Sequence, residues 1–219
     1  MIYLILKDKQ KIINELKKDE YWFSRYYEWL AREQEKKDGL FAAKLWIKFA
    51  KLKIGKGSFF LGSYGLSQAG RIYENNNRPI EAARLYAKAA KLAKEKVGDL
   101  LLVALWLSDS ARCCLNCGRN KEAFKYYKDL GDLFRSAEKY FMAADFYEHA
   151  AEIMIKEGMN PSKHVNPKEM WITNAKYFEE KGEIDDIEWS LKRASKYTEL
   201  INEFVELKRQ KVHKRYNKT

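Results

Sequence analysis

The sequence has little proline and glycine for a chain of 219 residues: three prolines and eleven glycines. Such scarcity of turn residues argues against a fold of many short strands and favours long helices. Long apolar runs are also missing. No stretch approaches the roughly 18 apolar residues that a membrane span needs, and the apolar run at positions 2–6 is too short for the core of a signal peptide. We therefore expect no membrane insertion.

Cysteine is equally sparse, and its three copies, Cys113, Cys114 and Cys117, fall in one short stretch. An odd, clustered set does not form a disulfide framework, which favours a reducing, cytoplasmic location. A C-x-x-C inside a helix lacks the turn that brings two thiolates to one zinc ion. We expect these cysteines to be buried as small apolar side chains.

Catalytic and ligand-binding signatures are missing as well. The three histidines are scattered, and neither an H-E-x-x-H motif nor a glycine-rich phosphate-binding motif occurs. We therefore expect a protein that is not an enzyme, with no catalytic residues, no cofactor and no metal site.

The composition has a substantial apolar content and a positive charge. Hydrophobic residues make up 46 %, enough for a packed core, and Lys plus Arg exceed Asp plus Glu by 42 to 31, a net charge of +11. A basic protein favours acidic partners, which include acidic protein surfaces, nucleic acid and anionic membranes.

The pattern of apolar residues predicts a chain of helices separated by short polar turns. We divide the sequence into a leading segment at 1–19, with a helix at 8–18, a single helical-repeat domain at 20–207 with a loop break near 158–167, and a basic tail at 208–219. Within the domain the predicted helices cover residues 20–36, 40–54, 58–75, 79–97, 100–116, 121–134, 137–157, 168–181 and 184–209.

Small residues recur at fixed offsets along these helices, as in Gly70, Ala82 and Ala89. Two antiparallel helices approach closely only where both carry small side chains at the crossing point, and large residues one turn away fill the groove. The spacing therefore predicts a series of stacked helical hairpins. The other four sets are Ala31, Ala43, Ala50; Ala111, Ala123, Leu130; Gly131, Ala143, Ala150; and Ala175, Ile187, Ala194.

The hairpin at residues 69–89 resembles the tetratricopeptide repeat, whose pattern it matches as Ala69-Gly70-x-x-Tyr73, Ala82, Tyr86 and Ala89. The units here are spaced more widely than in that family, and the segments at 82–99 and 137–154 are similar to its SNAP adaptor subgroup. The resemblance implies an all-α, right-handed solenoid of nine or ten antiparallel helices with a concave binding groove.

A row of basic residues follows the first small position of four units: Arg32, Arg71, Arg112 and Lys176, with Asp132 in the fifth. In tetratricopeptide-like folds this position faces the concave groove, so the resemblance implies a basic ladder that binds carboxylates or phosphates. Two alternatives remain open: exposed helix positions in a lysine-rich protein are often basic, and nearby glutamates at i,i+3 or i,i+4 neutralise the ladder. Neighbours on the same face are expected to include Gln68, Asn75 and Asn116.

A second set of basic residues lies on the second helices of the hairpins. It is expected to form a solvated convex face and comprises Lys44, Lys48, Lys51, Arg84, Lys88 and Lys91.

These observations indicate a non-catalytic scaffold or adaptor that holds an acidic peptide, helix or protein surface in its concave groove. The alternative is a nucleic-acid-binding or ribosome-associated protein that uses its basic surface and its tail at 208–219. The sequence predicts no particular oligomeric state.

Overall fold

A computed structural model describes residues 20–216, excluding the side chains of residues 20, 21, 163, 203, 204 and 207–216. This part of the chain holds nine α-helices and no strand, which confirms the all-α prediction. The helix expected at 8–18 lies outside the described residues.

The helices follow one another with short connections, and most bounds agree with the predicted ones to within a few residues. A π-helical turn, Ala93–Val97, follows the helix that ends at Leu92, and a 3₁₀ turn, Pro161–Lys163, precedes the helix that begins at Pro167. In chain order the helices are α1 Glu20–Gln34, α2 Gly39–Gly55, α3 Phe59–Asn75, α4 Pro79–Leu92, α5 Leu100–Asn116, α6 Asn120–Ser136, α7 Tyr140–Lys156, α8 Pro167–Glu179 and α9 Ile184–Tyr216.

The chain divides into two compact units, with the boundary after Gly118. In unit 1, α1 to α5 pack in sequence, each helix against the next. In unit 2, α6 to α9 do the same. Packing between sequential neighbours is the arrangement expected of a helical-repeat fold.

Capping explains where several helices begin. The carboxylate of Asp99 accepts hydrogen bonds from the backbone N–H groups of Leu101 at 2.9 Å and Leu102 at 3.1 Å, so α5 starts as predicted. From their residue types, Asn120 is expected to cap α6 and Ser136 to cap α7, and both expectations are wrong. Asn120 is the first residue of α6, with no side-chain cap before it, and Ser136 is the last residue of α6.

Glycines in α3 allow the backbone of α2 to come unusually close. A Cβ atom on Gly65 would lie 2.8 Å from the ring of Phe49 and 3.3 Å from the Cα atom of Ala50. One on Gly62 would lie 2.5 Å from the side chain of Ile54. This is the close approach that the glycine content of the helix predicts.

Within each unit the small residues of the predicted repeat are buried, except that Ile187 is half-buried. The repeat predicts a large residue four positions after each middle small residue, which is Ile47 after Ala43. The structure corrects this position: Trp46, only 1 % exposed, occupies it. When Ala42 is matched to Ala82, α2 and α4 have the same burial pattern, and in this alignment Trp46 is equivalent to Tyr86. The paired alanines of each helix are all buried, so alanine spacing alone could not fix this register.

Candidate partner-binding face

Arg32, Arg71 and Arg112 lie on three alternate helices of unit 1: α1, α3 and α5. Ion pairs connect these helices along one side of the unit. Arg71 bonds to Glu35, which follows α1, at 2.7 Å, and Arg112 bonds to Glu74 on α3. The three arginines therefore share one surface, which we call the ladder face together with Gln68, Asn75 and Asn116.

Arg32 is fixed by contacts within its own hairpin. Its guanidinium donates to Glu28 at 3.0 Å and lies 5.3 Å from the centre of the Trp46 ring. The hydrogen bond to Glu28 raises the pKa of Arg32 above its ordinary value. Cation–π contact adds to this fixed geometry.

Arg112 is the most strongly held member of the ladder. It donates to Asp109 at 2.7 Å and to both oxygens of Glu74, and these hydrogen bonds raise its pKa further above the ordinary value. Glu74 also accepts from the hydroxyl of Tyr86 at 3.2 Å. Burial, together with the charge of Glu74, raises the pKa of Tyr86.

The ladder face is charge-balanced. Each ladder arginine is still about half exposed, with between 42 % and 56 % of its side chain accessible to solvent. The carboxylates do neutralise the ladder, but two of the pairs, Arg71–Glu35 and Arg112–Glu74, link successive hairpins and do not follow the expected i,i+3 or i,i+4 spacing. The cations are Arg25, Arg32, Arg71 and Arg112, and the carboxylates are Glu28, Glu35, Glu74 and Asp109.

The polar residues predicted for this face lie beside the arginines. Gln68 accepts from Arg71 through its side-chain oxygen at 3.2 Å and 3.3 Å. Asn75 and Asn116 are the last residues of α3 and α5, and both are exposed. They lie at the edge of the ladder face where the first helix of each hairpin ends and the turn to the next helix begins.

A surface groove of about 430 Å³ lies on α1, and Arg32 lines it with Trp22, Tyr26 and Trp29. Trp22 and Trp29 are largely exposed there, with exposed fractions of 58 % and 57 %.

Unit 2 carries different side chains at the corresponding positions. Asp132 on α6 accepts from Lys128 and from the hydroxyl of Tyr147, both at 2.5 Å, and Lys176 is exposed on α8. Asp132 and Tyr147 line a polar cavity of about 260 Å³ with His164 and Glu169. Unit 2 therefore presents mixed charge where unit 1 has arginines.

Sequence reasoning missed a second polar cluster in unit 2. Glu148 on α7 accepts from the indole N–H of Trp171 at 2.6 Å and from Arg193, and Arg193 lies 5.3 Å from the Trp171 ring centre. The three helices that supply these groups meet only in the folded unit, so no local spacing in the sequence indicates the cluster.

The part of the chain that the structure describes contains no group of three or more histidines, cysteines or carboxylates that is placed to hold a metal ion. Cys113 and Cys114 are buried, as predicted, whereas Cys117, also expected to be buried, is half-buried. Burial raises the pKa of the Cys113 thiol to about 12. Among residues 20–216, no helix is both long and apolar enough to cross a membrane.

The comparisons with known proteins do not assign this chain to a family. No family model matches the chain, and no curated protein matches it. One matching solved structure is described as the crystal structure of BtubC (BKLC) from P. vanneervenii. It is 14 % identical, and the match covers 91 % of this chain and 86 % of that chain with a TM-score of 0.39. With so low an identity and TM-score, we infer nothing about this chain from that structure.

Proposed function

We propose that this protein is a non-catalytic scaffold of the tetratricopeptide-like kind, which binds an acidic protein segment along the ladder face of unit 1. The observation that carries the proposal is the row of three arginines, each held in place by carboxylates yet about half exposed. A site whose side chains are already fixed loses less conformational entropy on binding.

The chemistry of the guanidinium group supports an acidic partner. Each guanidinium has five N–H donors, and the pairs with Glu28, Glu35 and Glu74 use only some of them. A carboxylate of the partner would take the donors that face solvent, in charge-assisted hydrogen bonds.

The charge balance of the ladder face sets the specificity that we expect. Since the face has no excess of positive charge, its own carboxylates repel a uniformly acidic segment. A segment whose acidic residues alternate with basic or neutral ones fits better, and the net charge of +11 supplies long-range attraction.

The test uses a photo-crosslinking residue at Asn75, next to Arg71 on the ladder face. The protein would be added to native lysate treated with nuclease, and the adduct would be identified by mass spectrometry. We expect a defined protein adduct whose contact segment contains Asp or Glu. Binding of the purified partner would then be measured with Arg71→Gln and with Arg84→Gln, an exposed arginine on α4.

We expect Arg71→Gln to weaken partner binding about tenfold, the loss of one charge-assisted bond pair, and Arg84→Gln to leave it unchanged. Equal affinities for the two variants would overturn the ladder face as the site. A contact segment without Asp or Glu would contradict the acidic partner while leaving the scaffold role in place.

A further inference from the structure

The second helices of unit 1 carry two parallel rows of cations. Helix α2 contains four lysines and no acidic residue, and the only carboxylate in α4 is Glu81. We call the six exposed cations of these helices the lysine face: Lys44, Lys48 and Lys51 on α2, and Arg84, Lys88 and Lys91 on α4.

The two rows occupy equivalent positions in their helices. When Ala42 is matched to Ala82, the buried residues of α2 and α4 coincide. Lys44 then corresponds to Arg84, and the other two cations correspond as well. Both rows therefore point away from the core in the same manner.

Unlike the ladder arginines, these cations are largely without anionic partners. Within the described residues, Lys44, Lys51, Arg84 and Lys88 are in no ion pair. Lys91 makes a single exposed contact with Glu95 at 3.8 Å. The same unit therefore has one balanced face and one face with unbalanced positive charge.

The rows are not required by the repeat itself. In α7 of unit 2 the buried residues follow the same pattern, with Ala143 and Ala144 in the places of Ala82 and Ala83. The positions of the cations are taken there by Asp145, His149 and Glu152. The fold thus accepts either sign of charge at these positions.

We propose that the lysine face binds the phosphate backbone of nucleic acid without reading its sequence. Five of its six cations are lysines, a residue depleted in protein–protein interfaces. The large apolar side chains between the α2 lysines, Trp46 and Phe49, are buried. Phe41 and Ile80, one turn before each row, are 42 % and 38 % exposed, so the rows offer little apolar surface to insert into a lipid bilayer. Closely spaced lysines with few aromatic side chains among them suit a regularly charged strand.

The test is binding of a fluorescein-labelled, mixed-sequence DNA duplex, followed by anisotropy between about 50 and 200 mM salt. The lysine-face variant replaces Lys44, Lys51, Arg84 and Lys88 by glutamine, whose helix propensity is close to that of lysine. A matched variant replaces four exposed lysines of unit 2, and a tail variant replaces four cations at the end of the chain. These sets are Lys121, Lys125, Lys168 and Lys192, and Lys208, Arg209, Lys211 and Lys214.

We expect the unaltered protein to bind the duplex at low salt. The lysine-face variant should bind at least tenfold more weakly. The slope of log K against log salt should become less steep by about 3.6, since four phosphate contacts of about 0.9 each are lost. The other two variants should lose less than threefold. Melting temperatures would confirm that all variants fold alike.

Three results would overturn the proposal: no binding by the unaltered protein, equal losses in all three variants, or loss confined to the tail variant. Binding to phosphatidylserine vesicles without binding to the duplex would also overturn it and would assign the face to a membrane surface. Because the lysine face lies on helices other than those of the ladder face, crosslinking at Asn75 should be unaffected in this variant, so the two proposals can fail separately.

Discussion

Arg112 on α5 forms an ion pair with Glu74 on α3, so a side-chain bond joins the first helices of two consecutive hairpins. Glu74 is mostly buried, with 19 % of its side chain exposed, and it holds Tyr86 through the same carboxylate. The pair therefore connects three helices of unit 1.

We predict that Arg112→Gln lowers the free energy of unfolding by about 1 kcal/mol, because Glu74 keeps its charge but loses its cation. A double-mutant cycle with Glu74→Gln, measured by urea denaturation, should give a coupling energy above about 0.5 kcal/mol. The matched cycle for Arg71 and Glu35, whose carboxylate is more exposed than that of Glu74, should give a smaller coupling energy. Additive effects at both pairs would contradict the connecting role of Glu74.

The same pair illustrates how far sequence reasoning reaches. Residue spacing placed Arg32, Arg71 and Arg112 in one row, and the structure brings them to one face. Residue spacing did not identify Glu35 and Glu74 as partners of arginines on the next hairpin, because that pairing depends on how successive hairpins stack. Local rules such as i,i+4 spacing contain no information about the distance between side chains of different hairpins.

Helix ends show the same limit. Helix α5 was predicted at its observed bounds because Asp99 is a strong cap and Gly118 follows it with a φ of 72°. Ser136 does not cap α7 as expected, because its hydroxyl donates to the carbonyl oxygen of Leu133 at 2.7 Å inside α6. In the turn that follows, Glu138 has a φ of 56° although it is not a glycine. The sequence around it therefore contains no residue that would indicate a turn at this position.

Replacing two equivalent glycines, Gly70 and Gly131, by alanine should have different effects on stability. A Cβ atom on Gly70 would lie 3.1 Å from the ring of Tyr86, whereas one on Gly131 would overlap the ring of Tyr147. Alanine favours a helix by about 1 kcal/mol over glycine, which offsets the mild crowding at Gly70. We predict that Gly70→Ala changes the free energy of unfolding little and that Gly131→Ala lowers it by about 2 kcal/mol. Equal losses in chemical denaturation would show that the two tyrosines do not fix the spacing of their helices.

The three cysteines should differ sharply in reactivity. Cys113 and Cys114 are buried, and burial raises the pKa of Cys113 to about 12. Cys117 is half-buried at the end of α5. We predict that Ellman's reagent modifies one thiol quickly in the native protein and all three in denaturant. Cys117→Ser should abolish the fast reaction. Fast labelling of that variant would contradict the placement of Cys113 and Cys114 in the core.

The carboxylate of Asp132 should make unit 2 sensitive to acid. Burial alone would raise its pKa, but hydrogen bonds from Lys128 and Tyr147 outweigh burial and hold the pKa below its ordinary value. The folded state therefore favours the ionised form. The resulting stabilisation is present at pH values above the pKa of the unfolded chain, about 3.9, and disappears as the pH falls through the lower pKa of the folded state.

We predict that Asp132→Asn lowers the melting temperature at pH 7, because the amide is neutral and cannot form an ion pair with Lys128. The difference between the variant and the unaltered protein should shrink as the pH falls below about 4, where Asp132 itself becomes protonated. Asp129→Asn, at an exposed position of the same helix, is the matched control and should leave the melting temperature at pH 7 nearly unchanged. Calorimetry at a series of pH values measures both differences. A constant difference for Asp132→Asn would mean that its effect comes from lost packing, and that the ion pair with Lys128 adds no stability.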